Sequence, residues 1–163
     1  MTLVAWSEGP GLFFNPGSSS AMGLTPSEYL NETSRAPRHD PIVLAVQTAK
    51  REIEKLDKLD ANWDGYGSAK PSADAIKRAI STVPDFISSA EKTGGWSLPH
   101  VAANEDGEVL LEWWKGDKKL TLFVKADGID YLRTWGERIE HDMDDGELTG
   151  DTFPALWAWF SSI

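Results

Sequence analysis

The sequence predicts an α+β fold: a helical hairpin, a three- to four-stranded antiparallel meander and a C-terminal helix, with an extended N-terminal arm. Three observations carry this reading. Apolar residues in the first half recur at alternating helical spacings, and those between Leu98 and Trp135 alternate singly. Gly-containing turns separate the alternating runs. Helices followed by strands imply helices packed on one face of a sheet.

Residues 1–40 read as the arm and 41–163 as one α+β domain. In the arm, Gly9-Pro10-Gly11, Asn15-Pro16-Gly17 and Ser18-Ser19-Ser20 precede Pro26 and Pro37, a density of breakers that suits neither helix nor ladder. Trp6, Phe13 and Phe14 suggest a partly ordered arm that docks either on its own domain or on a partner. The first helix is expected over Pro41–Leu59. Asp40 is a good N-cap, and Pro41 sits where a missing N–H costs nothing. Ile42, Val46, Ala49, Ile53 and Leu56 make its apolar stripe. The second helix is expected over Ser72–Lys92, capped by Ser72, stopped by Thr93-Gly94-Gly95, and kinked or broken at Pro84. Leu98–Ala103 can form a short strand. Val109–Trp114, Lys119–Lys125 and Ile129–Trp135 alternate as strands, separated by Lys115-Gly116-Asp117 and Asp127-Gly128. Asp151–Ile163 is the last expected helix, with Leu156, Trp157 and Phe160 on one side.

Composition narrows the function classes. The chain has 163 residues, a formal charge of −10, eight Trp and no Cys. A disulfide scaffold, a thiol enzyme and a Cys-ligated metal site are thereby excluded. The excess of acid disfavours direct binding to a nucleic-acid backbone or an anionic membrane, which requires clustered Lys and Arg. No run approaches about 18 apolar residues, so no transmembrane helix is expected. Met1–Phe14 lacks the basic and apolar regions of a secretory signal, so the expected compartment is cytoplasmic. The acid is segregated: residues 93–163 carry six basic and fourteen acidic groups, whereas residues 41–92 carry eight of each.

Asn62-Trp63-Asp64-Gly65-Tyr66-Gly67 joins the two helices, and Asp106-Gly107-Glu108-Val109-Leu110-Leu111-Glu112-Trp113 opens the meander. Together these segments resemble an uncharacterised family of small bacterial proteins with an N-W-D-G-Y-G turn between helices followed by a D-G-x-V-x-L-E-W hairpin. The resemblance spans residues 55–135. It implies a fold and a bacterial or phage origin, and it carries over no catalytic residue. Read physically, the glycines allow positive φ, and Asn62 and Asp64 can bond neighbouring amides. Trp63 and Tyr66 are expected to plug the gap between helices and sheet. The alternative is a ligand pocket built from Asn62, Trp63, Asp64 and Tyr66, serving a small-molecule binder or an enzyme.

Trp113 and Trp114 are adjacent in a strand and must face opposite sides. Trp113 falls with Leu111 and Leu122 on the core side, and Trp114 with Leu110 and Phe123 on the other. An apolar second face needs a cover, either from the chain itself or from a partner.

Residues 137–151 hold seven acids against Arg138, a net of −6. Asp142, Asp144 and Gly146 do not follow the EF-hand order. A DNA mimic would need denser charge: fully extended, the stretch offers one carboxylate per about 7 Å, against one charge per about 1.7 Å of duplex. A solvated acidic loop, or one that engages a basic partner, remains. No H-E-x-x-H, G-x-S-x-G or P-loop pattern is present, so no catalytic residue, metal site or cofactor is expected. The resulting expectation is a non-enzymatic acidic interaction protein of antitoxin, immunity or anti-defence type. It would bind a basic protein or ribonucleoprotein through Asp142, Asp144, Asp145 and Glu147, with Trp114 and Phe123 as anchors. The remaining alternative is a structural homo-oligomer in which the second sheet face pairs with itself.

Overall fold

The computed structural model describes residues 40–138 and 140–162. The expected arm, apart from Asp40, lies outside them. The fold is α+β, as the residue patterns predict.

Helix α1 spans Pro41–Glu54. The Asp40 carboxylate accepts from the Ile42 amide at 3.0 Å, and Pro41 opens the helix. Ala49 and Ile53 are buried, but Ile42, expected in the same stripe, is exposed together with Val43 and Leu44. The helix tightens into a 3₁₀ turn at Lys55–Lys58, where Leu56 turns inward. The single helix expected to reach Leu59 is therefore two pieces. Helix α2 spans Ala73–Glu91, with Ser72 Oγ accepting from the Ala75 amide at 3.3 Å. Pro84 neither ends nor divides it. Ile76, Ala79 and Val83 are buried before Pro84, and Phe86, Ile87 and Ala90 after it. That continuous apolar stripe outweighs the roughly 3 kcal/mol that an interior proline costs. Ala90 O then accepts from the amides of Thr93, Gly94 and Gly95, which closes the helix where the sequence indicated.

The sheet has five antiparallel strands in sequential order: β1 His100–Ala103, β2 Val109–Lys115, β3 Lys118–Val124, β4 Ile129–Trp135 and β5 Met143–Glu147. The meander thus gains a strand in the segment expected to be an acidic loop. Helix α3, Thr152–Ser161, follows.

Every strand residue in the core lies on one face of this sheet. Val109, Leu111, Trp113, Leu120, Leu122, Val124 and Ile129 pack against the buried sides of the helices. At one end, Trp96 stacks on Trp157 with centroids 5.5 Å apart, and Trp113 meets both edge-on. The Trp113 indole N–H donates to Ser97 O at 2.8 Å and that of Trp157 to Gly95 O at 3.1 Å. Trp96 Nε1 is buried without a partner among the described residues. Lysines close the far end of α3: Lys118 Nζ donates to Trp159 O at 3.1 Å and to Ser162 O at 2.9 Å, and Lys115 Nζ donates to Ser161 O. Cations at the carbonyl end of a helix are favourable for both hydrogen bonding and the helix dipole. No described helix is long and apolar enough to cross a membrane.

Candidate functional site

Alternation along each strand decides which side chains leave the core. Leu110, Glu112 and Trp114 on β2 point away from the helices. So do Lys119, Thr121 and Phe123 on β3, and Asp130, Leu132 and Thr134 on β4. The register sets them in rows. Leu110 faces Phe123, and Phe123 faces Asp130. Thr121 faces Leu132, and Leu132 faces Asp145. None of these residues belongs to the apolar core; Trp114 and Asp145 are exposed, Thr121 is buried and the others are half-buried. Trp114 is 55% exposed. It lies beside the His100 ring at 5.9 Å, with Lys119 Nζ 5.2 Å from its centroid. Lys119 is held by Glu112 at 2.7 Å, so the cation over the ring is fixed by a neighbouring strand.

The six residues expected to bind a partner divide between the two faces. Trp114, Phe123, Asp145 and Glu147 share the open one. Asp142 and Asp144 do not join them. Asp144 Oδ2 accepts from Arg133 Nε at 2.8 Å and from the Tyr131 hydroxyl at 3.3 Å on the helix-facing side. Burial pushes the Tyr131 phenol upward, and the Asp144 charge adds to the shift, so the hydroxyl stays a donor. Asp142 Oδ2 accepts from the Arg138 amide at 3.0 Å, and Asp142 O accepts from the Trp135 amide at 2.8 Å. These two acids build the β4–β5 turn and ladder. A strand separates its neighbours by parity, and an acidic run that forms a strand cannot present all its charges to one surface.

Sequence reasoning passed over Asp130, Leu132 and Met143. The open face holds a shallow concavity of about 520 Å³ lined by Phe123, Asp130, Leu132, Met143, Asp145 and Glu147. Leu132 could have been found, because it alternates with Tyr131 and Arg133. Met143 could not, because the fifth strand was not foreseen. Asp130 is paired with Lys125, whose ammonium is shifted upward chiefly by that hydrogen bond. Among the described residues, Asp145 and Glu147 have no ion-pair partner. The concavity therefore combines the apolar side chains of Phe123, Leu132 and Met143 with negative charge along β5 that no described cation pairs.

The turn at Asn62–Gly67 is arranged differently from the expectation. Trp63 is 39% exposed and Tyr66 is 93% exposed, so neither plugs the space between helices and sheet. The turn closes on itself instead. Asn62 has φ +63°, and its Oδ1 accepts from the Gly67 amide at 2.8 Å. Asp64 Oδ1 accepts from the Tyr66 amide at 2.9 Å, and Asp64 Oδ2 from the Ser68 hydroxyl. The Ser68 hydroxyl, and after it the Tyr66 amide, hold the Asp64 carboxyl below its ordinary value. Asn62 and Asp64 thus serve the turn's own backbone. A separate apolar cavity of about 190 Å³ lies between α2 and α3 over Phe86 and Phe153. It falls below the roughly 300–1,000 Å³ typical of small-molecule sites.

No protein-family model matches the chain, and no curated protein or solved structure matches it.

Proposed function

We propose that this chain is a non-enzymatic binding protein of bacterial or phage origin, acting in the cytoplasm, that engages a basic protein or ribonucleoprotein and by doing so can inhibit it. Antitoxins, immunity proteins and anti-defence proteins act in this way. The observation that carries the reading is this sheet face, where exposed Trp114 and half-buried Phe123 and Leu132 stand beside the carboxylates of Asp145 and Glu147, which have no ion-pair partner among the described residues. Apolar anchors bounded by charge of one sign suit a partner with apolar contacts and an excess of Lys and Arg. Asp142 and Asp144 are supports in this scheme, and the contacting acids are Asp145 and Glu147.

The test is affinity capture from a bacterial host, uninfected and phage-infected, followed by association kinetics with the captured partner. The double variant Asp145→Asn/Glu147→Gln should slow association about tenfold at low salt, with the difference shrinking as salt rises. Leu132→Ser should speed dissociation. Asp144→Asn should leave association unchanged and lower stability by about 1 kcal/mol, because its pair with Arg133 is partly exposed. Association rates that ignore Asp145 and Glu147, or a mass that rises with concentration and buries the face between two copies, would overturn the proposal.

A further inference from the structure

From the backbone of β5 we infer that the partner docks by strand addition, supplying an extended, Lys- or Arg-bearing segment that pairs with this edge. The inference rests on the proposed function and specifies how binding occurs. Strand β5 is the last in the sheet order, and among the described residues its one neighbour is β4. The ladder shows which backbone groups are not used by β4, the one described neighbour. At one end the Trp135 amide donates to Asp142 O, and at the other the Leu148 amide donates to Ile129 O. Hydrogen-bonded pairs in an antiparallel ladder recur every second residue. The inward-bonded residues are therefore Asp144 and Gly146, opposite Arg133 and Tyr131. The N–H and C=O groups of Met143, Asp145 and Glu147 point outward from the sheet edge. The side chains of those same three residues line the open face. An added strand would gain backbone hydrogen bonds from residues whose side chains already shape the concavity.

The charge selects the occupant. Exposed edges are usually blunted by Lys, Pro or a bulge. Here the edge reads Met-Asp-Asp-Gly-Glu. Pairing with β5 of a second copy would set acids against acids, which is destabilising across a ladder. An acidic or neutral strand gains no electrostatic help, whereas a basic strand places Lys or Arg beside Asp145 and Glu147. The edge therefore discriminates against its own copy and in favour of a cationic segment.

The experiment uses the nitrogen-15-labelled full chain and the blocked peptide acetyl-Lys-Val-Lys-Val-Lys-Val-amide. A second peptide of the same sequence is N-methylated at alternate residues, which keeps the charge and removes one donor edge. Amide exchange at Asp145 and Glu147 should slow at least about tenfold on saturation with the first peptide, while the β1 amides stay unchanged. The methylated peptide should bind at least about tenfold more weakly, the equivalent of one lost backbone hydrogen bond. Asp145→Pro removes an outward donor and no β4 bond, a position where an edge strand tolerates proline. It should weaken binding further than Asp145→Asn. Equal affinity for both peptides, no slowing at Asp145 and Glu147, or no binding at millimolar peptide would overturn the inference. If the first peptide binds, leaves the β5 amides unprotected and is lost on Leu132→Ser, the strand-addition mode fails while the open-face reading stands. If Leu132→Ser and Asp145→Asn both leave the captured partner's kinetics unchanged, the open-face reading fails.

Discussion

Gly107 lies so close to Lys70 that a Cβ at Gly107 would stand 2.6 Å from the Lys70 carbonyl oxygen. Two backbone hydrogen bonds join the same segments: the Ala69 amide donates to Glu105 O and the Ser72 amide to Gly107 O, each at 2.8 Å. The helix-connecting turn and the β1–β2 turn, far apart in sequence, are therefore one backbone-bonded unit.

Gly107→Ala should be among the most destabilising single-methyl additions in the chain. The position combines φ +79° with backbone contact that cannot move aside. A loss of about 3 kcal/mol or more is expected, from backbone strain plus overlap. Gly116 has φ +61° and open space around it, so Gly116→Ala should lose only about 1 kcal/mol. Urea unfolding of the two variants side by side checks the contrast, and equal losses would show that the Lys70 contact contributes nothing.

Trp96→Phe and Trp113→Phe remove the same atoms from neighbouring rings with different consequences. Trp113 loses a hydrogen bond to Ser97 O, whereas Trp96 loses a buried N–H that has no partner among the described residues. A buried unsatisfied donor is penalised by about 1–3 kcal/mol, which offsets the packing lost at Trp96. Trp113→Phe should be the more destabilising by at least about 1 kcal/mol in thermal or denaturant unfolding. The reverse order would mean that Trp96 Nε1 is satisfied by an ordered water.

The Asn62–Gly67 turn should respond to acid through Asp64. Its carboxyl is held low mainly by the Ser68 hydroxyl. A carboxyl that titrates lower in the folded state binds fewer protons there than in the unfolded chain. The stability it contributes is therefore present above the ordinary carboxylate value and lost as pH falls towards the lowered one. That window opens below about pH 4. The Tyr66 amide resonance, which reports the Asp64 bond, should shift through this range. Ser68→Ala should move the midpoint upward, and Asp64→Asn should abolish the transition. A midpoint unchanged by Ser68→Ala would contradict the assigned cause.

The elements read well from the sequence where side-chain period and turn chemistry agreed. Asp40 and Ser72 cap the helices they were expected to cap, and Trp113 and Trp114 fall on the faces that strand parity gave them. Strand β5 was opaque because Met143–Glu147 has little intrinsic preference for extended structure. It is a strand because β4 offers it a ladder, with Arg133 waiting for Asp144. The same blind spot hid how the acids divide: four acids close in sequence look like one patch until their parity is known. Trp63 and Tyr66 failed for the opposite reason. Aromatic rings in a turn suggest burial, but Asn62 and Asp64 already close that turn by hydrogen bonding, which leaves the rings outside.

The indole cluster of Trp96, Trp113 and Trp157 turns the sheet-to-helix seam into an optical instrument. Rings this close exchange excitation energy, so their near-ultraviolet ellipticity is a property of the trio. It changes when any one of the α2–β1 connection, β2 or α3 withdraws. Emission from the exposed Trp63 and Trp114 senses solvent and ligands instead. In an unlabelled sample, ellipticity therefore weights the packed rings and emission adds the response of the exposed ones.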